Sequence, residues 1–236
     1  MTQPTPAPKR FDIVAIETII VLATISLYDL LLSDALSLPD VLRHSQIPLL
    51  SSMDRLAAGL EVLLPAVVFI LLVIFWLSRR SAWLRHLTIA YLVWVTLRLV
   101  LKIVLVVSAV LVLKPQKVSE GILLLKDTLV LWLVNIMIFG VWYWVIDAGG
   151  PLSRRSSAPG RADFIFPQNG QSPEGWEDWR PGLWDYIFLG FSGNVQLGLG
   201  DTSVLSVRAK VLVMLQCLLS LAIMVFLATF AISLLR

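Results

Sequence analysis

From Val211 to Leu235 the chain carries no charged side chain. A helix needs roughly 20 apolar residues to cross the hydrocarbon of a bilayer, so lipid is the natural solvent for a run of this length. Four more apolar runs precede it, at about 11–36, 57–77, 87–113 and 121–146, and the last covers 207–235. Five crossing helices are therefore expected. Their connections are short, except for a polar stretch over 147–182 that is rich in Gly, Pro and Trp.

Composition agrees with that reading. The chain is 58% hydrophobic and 15% charged, which excludes an ordinary soluble domain and points to a multi-pass protein whose partner is the lipid bilayer. A net charge of +3 is too small to suggest a nucleic-acid partner, and none is expected. Cys217 is the only cysteine, so neither a disulfide framework nor a cysteine metal site fits within one chain. It lies inside an apolar run, where a buried and inert thiol is expected. The Pro-rich tail at 1–10 leads into the first run with no small-residue cleavage site, so that run is read as a retained helix.

A sixth apolar stretch, GLWDYIFLGFSGN at 182–194, is too short to span at about 1.5 Å per residue. It runs into NVQLGLGD at 194–201, where two glycines stand one residue apart before an acid. An interfacial helix, a buried loop and a re-entrant helix all fit so short a stretch. Non-helical backbone survives at membrane depth only where protein covers it or where it lines a water-filled path.

The segment 182–235 resembles the pore region of the tetrameric potassium-channel superfamily: outer helix, pore helix, filter, inner helix. The family filter reads Thr-Val-Gly-Tyr-Gly-Asp, and this chain gives Gln196, Leu197, Gly198, Leu199, Gly200 and Asp201. Phe191 falls where the family's pore helix carries an aromatic residue, and Val207 to Leu212 aligns with a family-like PLARLL stretch. The resemblance implies a homotetramer in which Val195 to Asp201 form the ion path. Gly198 and Gly200 would supply the backbone freedom that a ring of carbonyls demands. Ser220 stands where many members have a hinge glycine, and Gln216, one turn earlier, would face the lumen. The permeant ion would be potassium or another monovalent cation, and no other cofactor is implied. Two departures bear on selectivity. Leu199 lacks the phenolic hydroxyl that braces the family's filter, and Gln196 replaces the threonine of its innermost ion site.

A second resemblance rests on WYWVIDAGGP (142–151), ADFIFPQ (162–168) and WDYIFLGFS (184–192). These motifs are similar to those of an uncharacterised family of bacterial multi-pass membrane proteins. That implies a bacterial inner membrane and supplies no activity.

Ionisable groups inside spans are candidates for function. Arg98 and Lys102 share one helix face, and they are expected to reach an interface or to pair with acids such as Glu17, Asp29 or Asp127. Asn135 and Gln216 are expected to hydrogen-bond to neighbouring helices, with the lumen as the alternative for Gln216. His44 and His86 are read as solvated. Trp76, Trp83, Trp142 and Trp144 lie near span ends, where an aromatic belt is expected. Asp163, Glu174, Glu177, Asp178 and Asp185 have no accompanying histidine, so they suggest a cation-attracting vestibule or a solvated surface, and no enzyme is expected.

The expected fold is an all-α integral membrane protein with five transmembrane helices, one re-entrant pore helix and a filter-like loop. Residues 1–10 form a tail, 11–120 a peripheral three-helix region, and 121–236 the pore module. The leading function is a pore-loop cation channel. The alternative is a non-conducting membrane protein that binds a partner or lipid through its Trp- and acid-rich loop. Loop charges put nine Lys or Arg on the side of the filter-like loop, which favours the cytoplasm for it, whereas the channel family places its loop outside. An even helix count, an exception to the charge rule and an inverted pore all remain open.

Overall fold

A computed structural model describes residues 67–68, 70–71, 74, 81–113, 118–154, 159–170, 179–195 and 199–233. The described elements are α1 (Ser81–Leu113), α2 (Val118–Ile146), α3 (Pro151–Arg154), α4 (Pro167–Gly170), α5 (Leu183–Val195) and α6 (Val207–Ser233). Two short strands, β1 (Phe164–Ile165) and β2 (Ser203–Val204), join them. Among the described residues, three helices are long and apolar enough to cross a membrane, over Arg85–Val104, Leu125–Gly149 and Val207–Thr229. They correspond to the third, fourth and fifth runs of the sequence. The first run and most of the second lie outside the described residues, and so does the tail.

The second of these helices, α2, is the hub against which α1, α5 and α6 pack. Its C-terminal half is apolar on every side, as expected of a helix surrounded by others. Ile138, Phe139, Val141, Tyr143, Trp144 and Val145 are all buried. The expectation for Trp142 and Trp144 is corrected here, because both rings are interior rather than in a belt, at 8% and 2% exposure. Trp142 Nε1 donates to Thr96 Oγ1 of α1 at 2.9 Å, so the pair ties two spans together. Arg98 and Asp127 are buried as well, and Lys102 is half-buried.

By contrast, α6 buries one face only. Ala209, Gln216, Ser220 and Ile223 turn inward, while Val207, Val211, Met214, Leu218, Leu221 and Val225 turn outward. The outward set advances by alternating steps of four and three residues, the spacing of a helix-packing seam.

Close approach of backbones seats α5 on α2. A Cβ at Gly190 would lie 2.8 Å from the Ile136 carbonyl oxygen, and a Cβ at Gly140 would lie 2.8 Å from Ile187 Cα. Small residues at such crossings are a common feature of membrane helices. Asp185, in the first turn of α5, accepts the Gly182 N–H at 2.7 Å. That closes one orphan donor and places negative charge at the positive end of the helix.

The end of α2 is shaped by positive φ. Ala148 sits at φ 49° and ψ 29°, with Gly149 at φ 82° and Gly150 at φ 98°. The chain turns sharply there and Pro151 opens α3. Further on, β1 and β2 pair antiparallel, Phe164 opposite Val204 and Ile165 opposite Ser203.

Candidate functional site: the two ends of helix α5

Helices expose four carbonyls at their C-terminal end, and burial in an apolar setting makes each unmet carbonyl costly. At the end of α5 one such carbonyl, that of Asn194, is met by a side chain of α6, and further side-chain bonds gather on Gly190 about one turn earlier. Gln216 Nε2 donates to the Gly190 carbonyl at 2.7 Å, and Ser220 Oγ donates to the Asn194 carbonyl at 2.9 Å. The Asn194 amide folds back onto Gly190 O at 3.1 Å. Asn135 of α2 donates to Asn194 Oδ1 at 2.8 Å. Tyr143 donates its hydroxyl to Gln216 Oε1. Asn135, Asn194, Gln216 and Ser220 are each 0% exposed.

Gln216 and Ser220, expected at a lumen or hinge, thus face the carbonyl end of α5 within a single chain. The expected hydrogen bonding of Asn135 and Gln216 to neighbouring helices is present, with α5 as the shared partner. Cys217 is half-buried, its Sγ near the Gly193 carbonyl at 3.8 Å.

Of the filter-like residues, Gln196, Leu197 and Gly198 lie outside the described residues. Val195 is exposed, and Leu199 is half-buried near Gly193, where an added Cβ would meet its Cδ2 at 3.3 Å. Gly200 adopts φ 59°, a left-handed turn that favours glycine, and nothing lies within 4 Å of where its Cβ would be. Asp201 is exposed in that turn, and the Thr202 N–H donates to Leu199 O at 3.3 Å. Phe191 is exposed and meets Trp132 edge-on at 6.1 Å.

The opposite end of α5 abuts a pair of buried acids. Asp147 Oδ1 accepts the Asp163 N–H at 2.7 Å and the Phe164 N–H at 3.3 Å, and Oδ2 accepts the Tyr186 hydroxyl at 2.5 Å. Asp163 takes both Nε and Nη2 of Arg208, at 2.7 and 2.6 Å, and the Ala148 N–H at 3.2 Å. Such a two-pronged pair fixes orientation as well as charge. Arg208 Nη2 also reaches the Ile146 carbonyl at 3.2 Å. The end of α2, strand β1, α5 and the start of α6 are pinned to one another by these contacts. Arg154 adds Nη1 bonds to the Trp144 and Asp147 carbonyls, and its guanidinium sits 5.0 Å from the Tyr186 ring centre.

Asp163 was expected in a vestibule or on a solvated surface, and it is instead 1% exposed. Glu174, Glu177 and Asp178 lie outside the described residues. The roles of Asp147, Tyr186, Asn194 and Arg208 were not foreseen. One signal was available: Asp147 and Asp163 each sit inside an apolar stretch, WVIDAGG and ADFIF, and an acid so placed calls for a partner. Among the described residues, no group of three or more His, Cys, Asp or Glu could hold a metal ion.

Burial alone would raise the Asp163 carboxyl. Hydrogen bonds from Arg208 and Ser206, the charge of Arg208 and the Ala148 N–H outweigh burial and hold it below the usual carboxylate range. A depressed folded value contributes stability above the ordinary carboxylate pKa, and that contribution is lost as pH falls through the folded value. Thermal unfolding in detergent is therefore expected to lose stability on the acid side, below pH about 4. Asp163→Asn should flatten that arm of the profile, and an unchanged acid arm would remove this assignment.

Comparison with known proteins gives no neighbour, since no protein-family model, no curated protein and no solved structure matches the chain.

Proposed function

We propose that the chain is one subunit of a pore-loop cation channel, permeable to potassium or another monovalent cation and assembled as a homotetramer. The observation that carries this reading is the course of the chain around α5. Tyr186, near the start of the helix, touches Asp147 at the end of α2. Asn194, near its end, touches Asn135 in the middle of the Leu125–Gly149 stretch and Ser220 in the middle of α6. By Val204 the backbone is again opposite Phe164, whose N–H bonds to Asp147. An out-and-back path of this kind is what a re-entrant helix and filter loop require.

Two further features support it. Gly200 takes the left-handed backbone that a carbonyl-lined loop needs. One loop cannot encircle an ion, so a channel needs several copies, and the outward seam of α6 from Val207 to Val225 offers a surface for packing them. The cation is cargo in this reading, with no resident cofactor.

One observation favours the alternative of a non-conducting protein. In the last turns of α5, whose carbonyls would otherwise offer negative potential to a cation, Ser220 of the same chain takes the Asn194 carbonyl, and Gln216 and Asn194 both bond to the Gly190 carbonyl.

Potassium-driven flux into proteoliposomes separates the two. The wild type is expected to conduct, and Gly198→Asp to abolish flux while leaving the oligomer intact in mild detergent. A monomeric or dimeric wild type that carries no current would remove the channel reading.

A further inference from the structure

At the acid-paired end of α5 lies a cavity of about 850 Å³, and its walls include Trp144, Asp147, Arg154, Trp179, Arg180 and Trp184. That volume falls within the range of ligand sites, about 300–1,000 Å³. Asp147 is the carboxylate on the wall, and its oxygens are engaged inward by Asp163, Phe164 and Tyr186. Arg154 holds its guanidinium against the Tyr186 ring. Arg180 is exposed at the rim. Two guanidinium groups and three indoles thus line a cavity at the end of the apolar stretch Leu125–Gly149. Indole and guanidinium groups suit the headgroup layer of a membrane.

A second depression shares Trp184 with the first. It has a volume of about 380 Å³, and Ile136, Met137, Trp184, Ile187, Phe188 and Phe191 contribute to it. This groove lies between α2 and α5, is almost wholly apolar and lies along the middle of the Leu125–Gly149 stretch. Trp184 lines both spaces and is 78% exposed. A basic aromatic cavity separated from an apolar groove by no more than the shared Trp184 matches an amphiphile with an anionic head.

We infer that this paired cavity and groove bind an anionic phospholipid, with its phosphate beside Arg154 and Arg180 and an acyl chain between α2 and α5. A soluble phosphate compound shares the head chemistry but leaves the groove without a role. The groove therefore commits the site to a lipid. The site is independent of whether the loop at 195–201 conducts.

The test uses the full chain in detergent and native mass spectrometry with added phosphatidylglycerol or phosphatidylcholine. The wild type is expected to retain phosphatidylglycerol preferentially. Arg180→Gln should cut that retention about fivefold, in line with one basic residue acting on an anionic lipid. Ala162 is exposed on the same lining, and Ala162→Trp should block the cavity and lower retention as well. This second variant keeps the proposal testable if Arg180→Gln fails to fold. Equal retention of the two lipids would overturn the proposal. So would an undiminished phosphatidylglycerol preference in whichever variants keep the wild-type melting profile. A third arm adds glycerol 1-phosphate, which is expected not to displace the lipid. Displacement at matched concentration would mean a site for soluble anions and would overturn the lipid assignment.

Discussion

Gly190→Ala is expected to disrupt the seating of α5 on α2. The added methyl would lie 2.8 Å from the Ile136 carbonyl oxygen and 3.1 Å from the Gly140 amide nitrogen. Both neighbours are backbone, so no side chain can rotate away, and the helices must separate. Overpacking of this kind costs about 1–3 kcal/mol, and a larger side chain costs more. Separation would also stretch the bonds that Gln216 and Asn135 make to the end of α5, so the loss should exceed that of a simple steric clash. Gly182→Ala is the control. Its methyl would meet only Asp185 Oδ2, at 3.7 Å, an ordinary contact. Thermal unfolding in detergent should show a large drop for Gly190→Ala and little for Gly182→Ala. Equal, small changes in both would mean that the α2–α5 crossing is looser than described.

Asp147→Ala should be comparably severe for a different reason. Two buried peptide N–H groups and the Tyr186 hydroxyl would lose their acceptor. Each buried donor left unmet costs about 1–3 kcal/mol, and the sum is not strictly additive. Asp147→Asn separates shape from charge. Its carbonyl oxygen can still take the Asp163 and Phe164 N–H groups, and the Tyr186 hydroxyl can turn to accept from the new amide. Asn is therefore expected to retain most of the stability that Ala loses. Limited proteolysis in the 155–182 region, read beside the unfolding curves, would detect release of β1 from the end of α2. Equal losses in Asn and Ala would mean that the negative charge dominates over the hydrogen bonds.

The sequence made some of this architecture legible. Apolar runs expected at 87–113, 121–146 and 207–235 correspond to α1 at Ser81–Leu113, α2 at Val118–Ile146 and α6 at Val207–Ser233. The short stretch at 182–194 corresponds to α5 at Leu183–Val195, bounded by Pro181 and the glycine-containing turn. Continuous hydropathy and helix breakers are local properties, so a single chain displays them. The polar pairings were hidden because they are long-range. Asp163 and Arg208 lie 45 residues apart, and Asn135 and Asn194 lie 59 apart, so no periodicity links either pair. Trp142 and Trp144 were misjudged for a related reason. Their position near a span end fits a belt, yet it is the packing of α1, α5 and α6 around α2 that buries them. Gln216 carries the same lesson: its place on α6 is evident from sequence, but which face meets α5 depends on a contact with Gly190, 26 residues away.

The side-chain bonds that Ser220 and Gln216 make to the last turns of α5 within one chain bear on how this protein would be made. A newly inserted polypeptide meets lipid before it meets its siblings. In the re-entrant arrangement proposed above, a short helix ending with bare carbonyls would be pulled back towards water or would wait for a second copy. Here Asn135 and Tyr143 are translated before α5, while Gln216 and Ser220 follow on the last helix. These contacts are therefore complete as soon as that helix is in place, and they need no second copy. In the proposed channel, encounter between copies then becomes a later, separate step, governed by greasy helix faces and by how many copies the membrane holds.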